Sequence, residues 1–259
     1  MSVYCQHTPP IKNCWQCCGE RRVMRSVTAI VQARMGSSRL PGKSLMPLGS
    51  STVLGQTLYR LSASKRVTKV AVATTAGSLD DRLAEHVTDL GFPVYRGSEH
   101  DVLRRYWEAA REFGGDVIVR ITADCPLVDP DLVDEVITKL DETQVEYVSN
   151  IEPRTYPKGL DVEAFTRLEL WRTNRDARKA YDLEHVTTYM RRVHEAHHTR
   201  ASVMHNCGDE SWRRWTVDYA EDLTVLRNVF DALAPHRLFP WTEVLKLSPA
   251  LFEANAQCA

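Results

Sequence analysis

Val27-Thr28-Ala29-Ile30-Val31 runs straight into Gln32-Ala33-Arg34-Met35-Gly36-Ser37-Ser38-Arg39-Leu40-Pro41-Gly42-Lys43. The first five residues are mostly apolar and β-branched, as in a short buried strand, and the polar and glycine residues behind them end it. The loop then gathers Arg34, Arg39 and Lys43 with two serines and two glycines. Backbone N–H groups at close range, combined with fixed positive charge, are what a polyphosphate requires. A Walker A loop would need glycine where Ser37 stands, and Pro41 removes a donor that such a loop would use.

Outward from this loop, strand and helix patterns alternate. Val53, Leu54, Leu58 and Leu61 repeat at helical spacing behind a cap at Ser51 or Thr52. Val70 to Thr75 reads as a strand, Asp80 to Leu90 as a helix stopped by Gly91, and Phe92 to Tyr95 as a short strand. Asp101 to Phe113 is a helix, Val117 to Ile121 a strand, and Asp131 to Leu140 a helix opened by Asp129-Pro130. Near-continuously apolar strands alternating with helices predict an α/β fold, a mostly parallel sheet with helices on both faces. In such sheets ligands bind beyond the carboxyl ends of the strands. The basic loop and the segment after Ile121 both lie at such ends, so they are expected to be neighbours.

That second segment is Thr122-Ala123-Asp124-Cys125-Pro126-Leu127-Val128-Asp129-Pro130. A carboxylate at a strand end beside a triphosphate loop is placed to hold Mg²⁺. It could equally cap the turn, and the residues alone leave both readings open. Asp218, in Arg214-Trp215-Thr216-Val217-Asp218-Tyr219-Ala220-Glu221-Asp222-Leu223, is open in the same way. It ends a strand-like alternation and stands where a helix N-cap would.

The three segments together resemble the cytidylyltransferase family typified by spore-coat polysaccharide biosynthesis proteins. Relatives of that family make CMP-linked sialic acid and CMP-linked ketodeoxyoctonate. Ala-Arg-x-Gly-Ser-x-Arg-Leu-Pro-x-Lys resembles its triphosphate loop, Arg-x-Thr-Ala-Asp-Cys-Pro-Leu-x-Asp-Pro its second signature, and Thr-Val-Asp-x-x-Glu-Asp-Leu its third. The resemblance covers about residues 27–235. It implies a nucleotide-diphospho-sugar transferase-like fold, and CMP transfer from CTP to an acidic acceptor with release of pyrophosphate, in cell-surface polysaccharide biosynthesis. The acceptor would be a sialic-acid-like or ketodeoxy sugar acid, or a phosphonate. Ala33, Arg34, Gly36, Ser37, Ser38, Arg39 and Lys43 would hold the nucleotide. Asp124 and Asp218 would share Mg²⁺ or Mn²⁺, making Arg34, Lys43, Asp124 and Asp218 the catalytic set. Arg120 and Thr122, flanking a strand end, are the expected base contacts.

Tyr156-Pro157-Lys158-Gly159-Leu160-Asp161 resembles the family segment that approaches the acceptor and helps form a homodimer. Arg154 and Lys158 are thus the expected acceptor partners. Residues of about 150–205 are expected to form a dimerisation arm, since their periodicity is loose and polar. Leu168 to Val193 within it reads as helical, and Glu184-His185 there resembles a pair found in the family.

Four of the seven cysteines fall in the first eighteen residues. Cys14-Trp-Gln-Cys17 with Cys5 and His7 could make a tetrahedral structural zinc site, in a Cys-rich segment of residues 1–25 ahead of a nucleotidyltransferase domain of 26–259. An unstructured leader is the plainer alternative. A formal net charge of -1 argues against general nucleic-acid binding. No apolar run reaches the roughly 18 residues of a membrane span, and no secretory signal is visible. The expectation is a cytoplasmic protein. Two rival functions are a glycosyltransferase, for which Asp129-Pro130-Asp131 is the only Asp-x-Asp, and a non-enzymatic zinc-bearing assembly protein.

Overall fold

The computed structural model describes residues 25–255. In order these form β1 (Val27–Gln32), β2 (Pro47–Leu48), β3 (Ser51–Thr52), α1 (Val53–Leu61), β4 (Lys69–Thr75), α2 (Asp81–Asp89), β5 (Val94–Gly97), α3 (Val102–Phe113), β6 (Val117–Thr122), α4 (Pro130–Thr143) and β7 (Tyr147–Ser149). There follow β8 (Glu163–Thr166), α5 (Arg167–Asp176), α6 (Ala180–His185), α7 (Thr188–Ala196), β9 (Arg200–Ser202), α8 (Ala220–Ala232) and α9 (Trp241–Leu245).

The main sheet has the order β5-β4-β1-β6-β8-β7-β9. β1 pairs in parallel with β4 and β6, and β4 with β5, while β8 runs antiparallel to both its neighbours. Side chains alternate across a strand, so each face has its own core. Val27, Ala29 and Val31 of β1 join Leu54, Leu58, Val136 and Leu226 on one face. Ile30 points the other way, into a cluster with Leu103, Tyr106, Phe165 and Met190. The sheet is thereby covered by α1, α2, α4 and α8 on one side and by α3, α5 and α7 on the other.

Local signals set many boundaries. Thr52 Oγ1 accepts from Gly55 N at 3.0 Å and caps α1. Asp129 accepts from Asp131 N and Leu132 N, opening α4 with Pro130 in its first turn. Arg60, fully buried, donates to the carbonyls of Val128, Arg237 and Phe239 at 2.8–2.9 Å. It thereby pins the chain leading into α9 to the turn before α4.

Two expectations are corrected. Leu168 to Val193 is not one helix: α5 ends at an extended Ala177, and α6 ends at Val186, whose φ is +61°. Trp215 to Val217 forms no strand of the sheet. It is an extended segment held by a bridge between Lys158 and Arg214 and by Val217 N donating to Asp124 O. Residues 150–205 contribute to the main sheet and its cores: β8 is inserted between β6 and β7, and Val162, Phe165, Leu170 and Met190 are buried there. Their elements are too short for a hydrophobic period to register in the sequence.

Candidate active site

The basic loop leaves β1 and folds back on itself. Gly42 adopts a left-handed conformation (φ +73°), and its N–H donates to Met35 O at 3.0 Å. Glycine takes that backbone geometry without the Cβ penalty other residues carry. From outside the loop, buried Asp80 accepts from Met35 N at 2.7 Å, tying the loop to the end of β4. The turn delivers Lys43 inward.

Lys43 Nζ donates to Asp124 Oδ2 at 2.8 Å, to Val217 O at 2.6 Å and to Asp218 Oδ1 at 3.1 Å. Both carboxylates are therefore within about 6 Å of each other, a spacing one Mg²⁺ could bridge. Arg39 reaches the same Asp218 Oδ1 at 2.7 Å and lies over the Tyr219 ring. Thr122 Oγ1 donates to Asp124 Oδ1 at 2.6 Å. Burial alone would push the Asp124 carboxyl up, but the Lys43 charge and hydrogen bond, with Thr122, outweigh it and hold that group below its usual value. Burial likewise opposes the Lys43 charge, and Asp124 with Asp218 overcomes it, leaving the ammonium raised.

The capping alternatives are resolved by these contacts. Asp222, not Asp218, accepts from the backbone at the start of α8, taking Asp218 N and Tyr219 N at 2.8 and 2.9 Å. The Asp218 side chain is left to Lys43 and Arg39, with a longer contact from Thr216 Oγ1 at 3.5 Å. Its segment is held from behind by Gly159, packed so tightly that an added Cβ would lie 2.7 Å from the Trp215 carbonyl.

A cavity of about 460 Å³ opens at the ends of β1 and β6. Ala33, Arg34, Ser37, Ser38, Arg39, Lys43, Thr122 and Asp124 line it, so most of the residues singled out in the two signatures come together there. Gly36 is not in the lining, and Asp218 stands behind Lys43. Other expected residues lie elsewhere. Arg120 pairs with Glu163 at 2.5 Å, and Glu163 also takes the Tyr147 hydroxyl, so Arg120 is held in a buried network outside the cavity. Arg154 is neutralised by a two-pronged pair with Asp161 at 2.6 and 2.8 Å, and Lys158 is exposed. Neither lines the cavity. Cys5, His7, Cys14 and Cys17 fall outside the described residues. Among the described residues no group of three or more His, Cys, Asp or Glu could hold a metal. The carboxylate pair fits a hard cation that takes its remaining ligands from phosphates and water.

Sequence reasoning passed over Gln32, Glu99, His100 and Arg105 as site residues, all of which line the cavity. Glu99 and His100 lie in the turn before α3, and Arg105 in its first turns, where the amphipathic pattern masks it. Glu184 and His185 also face it, from the end of α6. Val186 follows at φ +61°, ψ −57°, and Thr187 N donates back to His185 O at 2.6 Å. That is the rare, strained γ-turn, here at a buried β-branched residue.

Comparison with known proteins adds an independent line. A family model described as cytidylyltransferase matches residues 28–208. The chain is similar to the spore coat polysaccharide biosynthesis protein SpsF of Bacillus subtilis, at 36% identity over 172 residues, 65% of this chain and 71% of that one. It is also similar to the 3-deoxy-manno-octulosonate cytidylyltransferase of Geobacter sulfurreducens, at 32% over 131 residues. That match takes in 50% of this chain and 51% of the relative, so the chain spans about half that relative's length. Among solved structures, a cytidylyltransferase from Leptospira borgpetersenii superposes with a TM-score of 0.83 at 34% identity, covering 88% of this chain and 96% of that one.

Proposed function

The chain belongs to the cytidylyltransferase family, and from that premise we propose that it transfers CMP from CTP to an acidic sugar acceptor, releasing pyrophosphate. The observation that carries this reading is the Lys43 ammonium wedged between Asp124 and Asp218, beside a cavity rimmed by the basic loop. Triphosphate oxygens are drawn to Arg34, Arg39, Lys43 and the loop N–H groups. The acceptor oxygen attacks the α-phosphorus, its proton leaves to solvent or a neighbouring base, and the bond to pyrophosphate breaks. Charge spreads over the phosphate oxygens, so catalysis here is positioning and preorganised positive charge more than covalent chemistry. Mg²⁺ held by Asp124 and Asp218 would supply further neutralisation of that charge.

The acceptor class is inferred from the relatives. A ketodeoxy sugar acid matches the name of one of them, and a sialic-acid-like nonulosonate or a phosphonate offers similar acidity. Work in cell-surface polysaccharide synthesis accords with the name of another. No helix among the described residues is long and apolar enough to cross a membrane. We read the protein as a homodimer through residues 150–205, where Leu168, Trp171 and Tyr181 expose apolar surface. Light scattering at micromolar concentration tests this, and a fully active monomer refutes it.

The glycosyltransferase alternative is disfavoured by Asp129. Its Oδ1 caps α4 and its Oδ2 accepts from Trp241 N at 2.8 Å, so it is not free to hold a metal. A pyrophosphate-release assay with CTP, UTP, GTP, ATP and dTTP against a panel of sugar acids tests the proposed activity. Turnover with CTP and Mg²⁺ is the expected result, and equal or better turnover with GTP or dTTP overturns it.

A further inference from the structure

A second cavity, of about 430 Å³, opens between the β2–β3 hairpin, the last turns of α8 and the chain leading into α9. It shares no lining residue with the catalytic cavity. Roughly 15 Å of α8 separates Ala220, beside the Asp218 segment, from Phe230 in the wall of this cavity. The floor is held from two sides. Gln56 is fully buried, donates to Leu48 O at 2.9 Å and accepts from Arg237 Nη2 at 3.4 Å. Arg60 fixes the backbone opposite by donating to Arg237 O at 2.9 Å.

The positive charge here exceeds what the fold uses. The Arg237 guanidinium carbon lies over the Tyr59 ring, 3.7 Å from its centroid. The ring covers one face and leaves the edges, where the donors lie, to other partners. Arg237 Nε is buried without a hydrogen-bond partner. Arg227 spends its Nε on Pro47 O at 3.1 Å. Among the described residues, the side-chain hydrogen bonds of both arginines end on a carbonyl or an amide oxygen, none on a carboxylate. His236 adds an imidazole, and Asp231 is the one carboxylate of the lining among the described residues. Two guanidiniums against one carboxylate leave the balance in favour of an anion.

We propose that this cavity is a second anion site, which takes phosphate as the free ion or as the monoester of a small molecule. Arg227 and Arg237 stand on separate segments, α8 and the chain before α9. A tetrahedral oxyanion has oxygens enough to accept from both at once, whereas the two oxygens of a carboxylate are satisfied by a single guanidinium fork. Occupancy ties the β2–β3 hairpin, which follows closely on Lys43, to α8, which follows closely on Asp218. The site lies outside the catalytic cavity and does not depend on the cytidylyl-transfer reading.

Amide ¹H–¹⁵N spectra of the full chain test this, with inorganic phosphate, CMP and acetate titrated into the wild type, Arg227→Met and Arg237→Met. The amides of Gly49, Ser50 and Ala234 report this cavity, and those of Gly36 and Gly42 report the basic loop. In the wild type the first group should shift saturably with phosphate. Each substitution should weaken that binding by about tenfold or more, as for loss of a hydrogen bond from a charged group, while the response at Gly36 and Gly42 stays as in the wild type. Tighter binding of CMP than of phosphate at the first group upholds the site as one for an ester, and equal or weaker binding upholds it as one for the free ion. Acetate binding there as tightly as phosphate overturns the proposal. Shifts confined to Gly36 and Gly42 overturn it too, as does unaltered phosphate affinity in both variants. Should Arg237→Met fail to fold by circular dichroism, Arg227→Met decides alone, since Arg227 is exposed on α8.

Discussion

Asp124 and Asp218, from distant parts of the chain, meet on one ammonium: Lys43 Nζ lies 2.8 Å from the first and 3.1 Å from the second. Neither carboxylate serves the backbone as a cap. The pair is held on the Lys43 ammonium, and the following expectations depend on it or on what supports it.

Asp218→Asn and Asp124→Asn should each lower kcat by roughly 10²–10³-fold, the scale of losing one preorganised charge-stabilising group. CTP binding should change less than turnover. Steady-state kinetics with Mg²⁺ at saturating CTP measures this, and EDTA should abolish activity reversibly. A variant retaining half of the wild-type rate would remove that carboxylate from the mechanism.

Lys43→Met should give stability a pH dependence between pH 5 and 8 that the wild-type cluster lacks. In the wild type the folded Asp124 pKa lies below its usual 3.8, so its contribution is present above pH 4 or so and is lost as pH falls through the folded value. Lys43 is raised above 10.5, so its contribution is complete below that pH and is lost as pH rises through the folded value. The wild-type cluster is thus flat between about pH 5 and 10. Without the ammonium, Asp124 loses the charge that holds its pKa down and takes up a proton more readily. The variant should be less stable by about 3 kcal/mol at pH 7 and should recover part of that at pH 5. Melting curves at pH 8, 6.5 and 5 check it, and parallel curves for the two proteins would contradict it.

Gly159→Ala should damage the site from behind. Gly159 has φ +112°, and the new Cβ would press on the Trp215 carbonyl at 2.7 Å. Strain of about 1–3 kcal/mol is expected, together with a displaced Trp215–Asp218 segment. Melting temperature and kcat should therefore fall together, although no ligand-contacting residue has changed.

Arg60→Met should do the opposite, separating stability from function. Three carbonyls, two of them buried, would lose their donor, at a cost of about 3 kcal/mol. Arg60 does not line the cavity, so turnover at 20 °C, where the fold persists, should remain within a few-fold of wild type. Thermal denaturation beside an assay below the transition distinguishes the two effects.

The mostly parallel sheet and its alternation of strands and helices were legible because each is a local property. A β-branched run such as Val27–Val31 carries its strand preference in its own residues. Asp124 and Asp218 were visible as residues of the right type at the ends of the right segments. Which way a charged side chain turns was not legible, since that depends on partners brought near by the fold. Arg154 is neutralised by Asp161 and Arg120 by Glu163, while Arg105, in a helix read from its apolar face, is left with an unpartnered Nε. By itself the sequence determined the architecture and the kind of chemistry. Only the tertiary structure decided which of many cations and carboxylates are still available for a ligand, because a charge is neutralised by what lies within a few ångströms in space, and distance along the chain does not report that.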